Sequence, residues 1–399
     1  MKCKLGDISE ITKLAGYEFT KYIKYIPDGE IIAVRALNLK NGALVLDDIQ
    51  RISKEVSETL PRSQLHKNDI VLSYTGTLGE CAQIREDGKY HLAPNVCKIT
   101  PNDSVVNPNF LFQYIRCEKF KQTLINYAHG STQPTIPMST IRDIPVDIPD
   151  DLEKQGKIAA ILYALDEKIA INRAINDNLL EQASTLFNSA IQQSTSVVYA
   201  ELGSLAEVKG GKRLPKGVNL VTTPNQHPYI RVRDLNNTVF ASLSNDYEYV
   251  DDETQQSISR YTVSTGDLLI SIVGTIGLTT IVDHTLNKAN LTENCVKLTN
   301  IKNVTPEYLL LFLRSLQGVE AISKGTVGAV QLKLPIKNIQ SITVPLLCDE
   351  ELQPLQETLS AIFSQISANI IEMKQLADIR DTLLPKLMSG ELDVSAVEL

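Results

Sequence analysis

Three groups of residues in this 399-residue chain have types and spacings that could do chemistry. Asn107-Pro108-Asn109-Phe110 is one residue away from the Asn-Pro-Pro-aromatic motif of adenine-N6 methyl transfer. Its third position is wrong, and the matching place in the second half of the chain holds Thr305-Pro306-Glu307-Tyr308, which lacks the asparagine. The two stretches share a capping residue, a proline and an aromatic, which is how a helix starts. No glycine-rich loop lies upstream to hold S-adenosylmethionine. Pro149-Asp150 followed by Asp166-Glu167-Lys168 nominally fits a metal-dependent nuclease, whose carboxylates and lysine must meet on adjacent strands. Here the second group falls in a helical pattern, where consecutive side chains diverge, so it is expected to be a solvated helix face. His66, His91, His129, His227 and His284 have no ligand spacing. The expectation is a non-catalytic binding protein with no metal and no cofactor.

The elements that would position a binding surface come in duplicate. Leu37-Asn38 recurs as Leu235-Asn236, Gly76-Thr77-Leu78-Gly79 as Gly274-Thr275-Ile276-Gly277, and Pro108 and Pro137 as Pro306 and Pro335, all displaced by 198 residues. A duplication that fills the chain predicts a pseudo-two-fold molecule suited to a target with two half-sites. Each copy begins with about 150 residues of short β-type runs, such as Asp69-Ile70-Val71-Leu72-Ser73 and Asp267-Leu268-Leu269-Ile270-Ser271. The Gly-Thr-x-Gly steps after Ser73 and Ser271 predict hairpin turns in which glycine takes positive φ.

Each copy ends in a long helix. Ile158, Leu162, Leu165 and Ile169, then Leu179, Ala183 and Leu186, alternate four and three residues apart, a heptad seam. Leu355, Leu359, Ile362, Ile366, Met373, Leu376 and Leu383 form its counterpart. Asn172 and Asn369 share a seam position, where a buried asparagine can set register. Two such helices related by a two-fold across their length must run antiparallel. About 35–40 residues gives a rod of roughly 50–60 Å.

Composition is that of an ordinary globular chain, 43% hydrophobic and 22% charged. No apolar run reaches the ~18 residues of a membrane span, and the N-terminus lacks the apolar stretch of a secretory signal. The six scattered cysteines predict a reducing cytoplasm. The net charge of −8 is not evenly spread. Residues 1–150 hold 18 basic and 18 acidic side chains, 151–195 hold 4 and 6, 196–347 hold 14 and 13, and 348–399 hold 3 and 10. The two β-rich segments are thus close to neutral, and local basic clusters on them can still meet phosphate.

In this order, and twice over, the arrangement resembles the specificity subunit of type I restriction–modification systems. The openings Lys4-Leu5-Gly6-Asp7-Ile8-Ser9-Glu10-Ile11 and Glu201-Leu202-Gly203-Ser204-Leu205-Ala206-Glu207-Val208 look like that family's domain start. Lys209-Gly210-Gly211-Lys212-Arg213-Leu214-Pro215 is similar to its basic glycine loop, and residues 13–24 are a degraded equivalent. Pro228-Tyr229-Ile230-Arg231-Val232-Arg233-Asp234-Leu235, Gly130-Ser131-Thr132-Gln133 and Leu383-Leu384-Pro385-Lys386-Leu387-Met388-Ser389-Gly390-Glu391-Leu392 also match its patterns.

The resemblance implies an α+β fold with a pseudo-two-fold internal repeat. Residues 1–150 and 196–347 would be β-rich α/β target-recognition domains. Residues 151–195 and 348–399 would be long helices packed as an antiparallel coiled coil. Each domain would read one half of an asymmetric bipartite site on double-stranded DNA. The helix pair would set the spacing and dock two methyltransferase subunits, which restriction subunits would join. A span of about 13–15 base pairs, roughly 45–50 Å, suits the rod. Lys13, Lys40, Lys209, Lys212, Arg213 and Lys216 are candidates for phosphate contacts. Arg35, Asn38, Arg231, Arg233, Asn236, Gln133 and Gln331 are candidates for base edges. Ser73, Tyr74 and Thr75, with Ser271 to Thr275, would approach the duplex from the turns. The alternative is a coiled-coil scaffold that reads no DNA. The basic glycine loop and the divergence of the two β-rich segments favour DNA.

Overall fold

The computed structural model describes residues 1–130, 134–236, 238–244, 246–328 and 331–394, apart from the side chain of Ser389. Contacts divide the chain into two compact units, Met1–Ala170 with Met373–Leu399, and Ile171–Glu372. The fold is a mixture of helix and sheet in both, and the two long helices, Leu152–Gln193 and Asp349–Ser389, each contribute to both units.

In the first unit an antiparallel sheet runs in the order Ser9–Lys13, Val96–Pro101, Ile70–Ser73, Cys81–Gln83. A second sheet runs Gln50–Ile52, Ile31–Val34, Tyr90–Leu92, Gln64–Leu65, with a parallel pairing at its centre. The strand Ile70–Ser73 is buried throughout because it has a core on either side. Side chains alternate along a strand. Ile70 and Leu72 therefore pack with Phe110, Leu111 and Ile115 of the helix Pro108–Arg116, whereas Val71 packs with Val34 and Leu92.

The second unit repeats this logic. Its five-stranded sheet runs Glu207–Gly210, Cys295–Thr299, Leu268–Ser271, Thr279–Val282, Phe240–Ala241. Leu268 and Ile270 face Tyr308 and Phe312 of the helix Pro306–Arg314, and Leu269 faces Ile230, Leu235 and Leu291. Both helices start as expected: the Asn107 side chain accepts the N–H groups of Asn109 and Phe110, and the Thr305 side chain accepts that of Tyr308. Asn107-Pro108-Asn109-Phe110 is a helix cap.

The seam differs from the heptad expectation at its outer parts. Leu186 is exposed, while Phe187 is buried edge-on against Tyr308, with ring centroids 4.9 Å apart. Phe363 is likewise buried against Phe240. There each helix packs on the sheet-bearing part of the unit as well as on the other long helix, which demands an apolar face wider than a two-helix seam.

Candidate nucleic-acid interface

The Gly-Thr-x-Gly steps are hairpin turns, as their glycines require. Gly76 and Gly79 have φ of +79° and +80°, and Gly274 and Gly277 have +81° and +87°. A buried serine staples each turn from inside. Ser73 donates its hydroxyl to the Thr77 carbonyl, and Ser271 donates to the Thr275 carbonyl at 2.6 Å. Their hydroxyls are thereby consumed within the fold and do not face a ligand. The turns are tied to a second loop: Gly76 N–H donates to Pro134 at 2.9 Å, and Leu334 N–H donates to Ile272 at 3.0 Å. This brings together Tyr74, Thr75, Thr135 and Lys13, whose ammonium lies 5.2 Å over the Tyr74 ring. In the second unit the equivalent edge exposes Thr275 and Gln331. Gln133 lies outside the described residues. Lys40 is exposed at the end of the strand Leu39–Lys40.

The basic loop of the second unit lies flat on the sheet. Gly211 donates its N–H to Cys295 at 3.0 Å, and a Cβ there would come within 2.0 Å of the Thr292 carbonyl oxygen. Only glycine permits that approach. Lys212 N–H donates to Leu291 at 2.8 Å, and its carbonyl accepts the Tyr229 hydroxyl at 2.8 Å. The cations beyond are thus presented outward. Lys212 covers the Tyr261 ring at 5.5 Å, Arg213 is 83% exposed with Nε 2.7 Å from Glu293, and Lys216 is exposed. Lys209 pairs with Glu207 at 2.5 Å on the exposed edge strand. Beside the loop is an open cavity of about 400 Å³, lined by Arg213, Tyr229, Arg231, Arg233 and Glu293 among others.

A short helical turn follows the parallel strand in each unit, and it changes the roles expected for several candidates. Asn38 is buried: its carbonyl oxygen accepts the Arg35 N–H at 3.1 Å and its amide donates to Val45 and Asp48. That leaves nothing for a base edge, so Asn38 holds the turn. Arg35 is also tied down, with Nη2 on both the carbonyl and the carboxylate of Asp48. In the second unit the same cap is made by Asp234, which accepts the Arg231 N–H at 2.7 Å. Arg231 pairs with Glu248, so it too belongs to the frame. Arg233 remains largely exposed, and Asn236 is exposed at a left-handed helix end with φ +39°. The letter-for-letter match of Leu37-Asn38 with Leu235-Asn236 therefore joins positions with different surroundings.

Residues 1–181 and 196–380 each match the family described as type I restriction modification DNA specificity domain. The chain belongs to that family. It is 24% identical over 383 residues to the HindI specificity subunit of Haemophilus influenzae, covering 76% of this chain and 81% of that protein. It is 22% identical over 325 residues to the MjaIX specificity subunit of Methanocaldococcus jannaschii, covering 74% and 71%. The crystal structure of a type I restriction–modification S subunit from M. genitalium shares the fold, with a TM-score of 0.55 at 16% identity over 97% of this chain and 96% of that one. A type I DNA specificity protein is a recognition subunit without catalysis, and membership does not support the scaffold alternative. No group of three or more metal-ligating side chains occurs among the described residues, and no helix there is long and apolar enough to cross a membrane.

In this specificity protein the long helices carry polar residues that sequence reasoning missed. Gln155 accepts the Asn107 N–H at 2.7 Å, and Gln356 accepts the Thr305 N–H at 2.6 Å. Each joins a helix to the cap of its own recognition domain. Asp166 is no solvated residue: Gln113, Arg116 and Arg380 all donate to its carboxylate. Asn172 and Asn369 are buried but do not bond each other. Asn172 donates to Glu372 at 2.7 Å, and Asn369 donates to Asn176 at 2.7 Å. With Ser194 on Glu351, these bonds show the helix segments of the second unit running in opposite senses.

Proposed function

We propose that this chain is the DNA-reading subunit of a cytoplasmic type I restriction–modification complex, with residues 1–150 and 196–347 each reading one half of an asymmetric bipartite site. The observation that carries this is the family match, which occurs twice and each time spans a recognition segment and most of the helix that follows it. The helices of 151–195 and 348–399 form an antiparallel coiled coil about a pseudo-two-fold, and Asn172 and Asn369 fix its register through their cross-helix partners. They set the distance between half-sites and dock two methyltransferase subunits, to which restriction subunits add. Exposed aliphatic residues on these helices support docking: Ile171, Ile175 and Ile371 in the second unit and Ile379 in the first.

Phosphate contacts come from Lys13, Lys40, Lys209, Lys212, Arg213 and Lys216, and the reading edges from Tyr74, Thr75, Arg233, Asn236, Thr275 and Gln331. Arg35, Asn38, Ser73, Arg231 and Ser271 hold the frame. The test is gel retardation of duplex DNA by the chain assembled with the methyltransferase subunits of its own system. One bipartite sequence should be retarded in preference to scrambled DNA. Equal retardation of all sequences contradicts the reading.

A further inference from the structure

Both recognition domains build the same turn, and this permits a comparison position by position. In the first, the Val34 carbonyl accepts the Ala93 N–H at 3.1 Å; in the second, the Ile230 carbonyl accepts the Thr292 N–H at 3.0 Å. Arg35 and Arg231 follow, each with its N–H bonded by the side chain three residues on, Asn38 or Asp234. Each arginine reaches an acidic side chain on the returning segment, Asp48 or Glu248. The residue after each cap, Leu39 or Leu235, is buried. In this alignment Leu37 stands where Arg233 stands. Leu37 is 57% exposed, and the Arg233 side chain is 58% exposed. The frame is thus the same in both copies, and the outward side chain differs completely in chemistry.

Two domains that read different half-sites from one scaffold need positions of this kind, equal in place and exposure but opposite in what they recognise. In the second domain the position also lines the cavity beside the basic loop, as does Arg213. Unlike Arg35, whose side chain is 20% exposed, Arg233 stays 58% exposed. It is held along one edge of its guanidinium, with Nε 3.4 Å from Asp234 Oδ1 and Nη2 3.2 Å from Glu248 and 3.3 Å from the Asp246 carbonyl. Such bracing reduces the freedom the side chain loses on binding.

Resting on the DNA-reading function above, we propose that this turn position specifies one base of each half-site. Arg233 reads guanine through O6 and N7, and Leu37 reads thymine through its C5 methyl group. The test is selection of bound duplexes from a randomised pool by the chain assembled with its methyltransferase subunits. Wild type should show guanine at one position of one half-site. Arg233→Leu and Arg233→Lys should each lose that preference by about tenfold or more, since neither offers the planar fork, with the other half-site unchanged. Leu37→Arg should create a guanine preference at one position of the opposite half-site. If Arg233→Leu weakens binding uniformly over all sequences, Arg233 holds phosphate and the inference is overturned. Unchanged base preference in all three variants overturns it equally, while the DNA-reading function stands. A wild-type complex that selects no sequence removes both.

Discussion

Asp234 accepts the Arg231 N–H at 2.7 Å with only 9% of its side chain exposed. Burial lifts its pKa from 3.8 to about 6, although the charge and hydrogen bond of Arg233 pull the other way. A raised carboxyl pKa means that the folded state binds the proton more tightly than the unfolded chain does. The stability this gives is present at low pH and lost as pH rises from about 4 through about 6. Asp234→Asn keeps a capping acceptor and removes the titration. From pH ~4.5 to pH ~7 the urea midpoint of the variant should therefore improve relative to wild type. A difference between the two that does not change with pH contradicts the assignment. At Asp166 the matter is hydrogen bonding: three donors from two other helices converge on one carboxylate. Removing that acceptor takes the carboxylate partner from the largely buried Arg116 and one of two from Arg380, which keeps Asp381.

Among the elements, what could be read from sequence was what short-range chemistry determines. The glycine turns follow from positive φ, and the starts of Pro108–Arg116 and Pro306–Arg314 follow from a cap and a proline. The long helices follow from their period. Roles that depend on distant partners were not legible. The helix pattern around Asp166 suggested solvent because Arg116 and Arg380 lie 50 and 214 residues away. Asn38 matches Asn236 by letter, but the frames correspond at a different offset, so one is a buried cap and the other an exposed helix end. Leu186 yielded its seam place to Phe187 because the recognition domain also packs there. The helix pair itself has a testable consequence. Inserting one heptad into each helix, beside Asn172 and Asn369, preserves the phase of the seam and adds about 10 Å. The spacer should grow by about 3 base pairs with both half-sites unchanged, which methylation mapping would show. An unaltered spacer in an active complex contradicts the ruler role.

At the scale of the molecule, duplication supplies two similar frames and leaves their outer faces free to diverge. The acidity resides mainly in residues 348–399, while the recognition segments stay near neutrality. Under the proposed function, phosphate attraction is therefore local, centred on the basic loop and a few lysines, and sequence preference rests on a small number of side chains in each domain. Methylated adenines mapped in DNA from cells carrying the system, before and after residues 1–145 are replaced by a different recognition domain, test the central claim most directly. One half of the methylated site should change while the other half and the spacer persist. Retention of the original pattern, or loss of both halves together from an assembled and active complex, would contradict it.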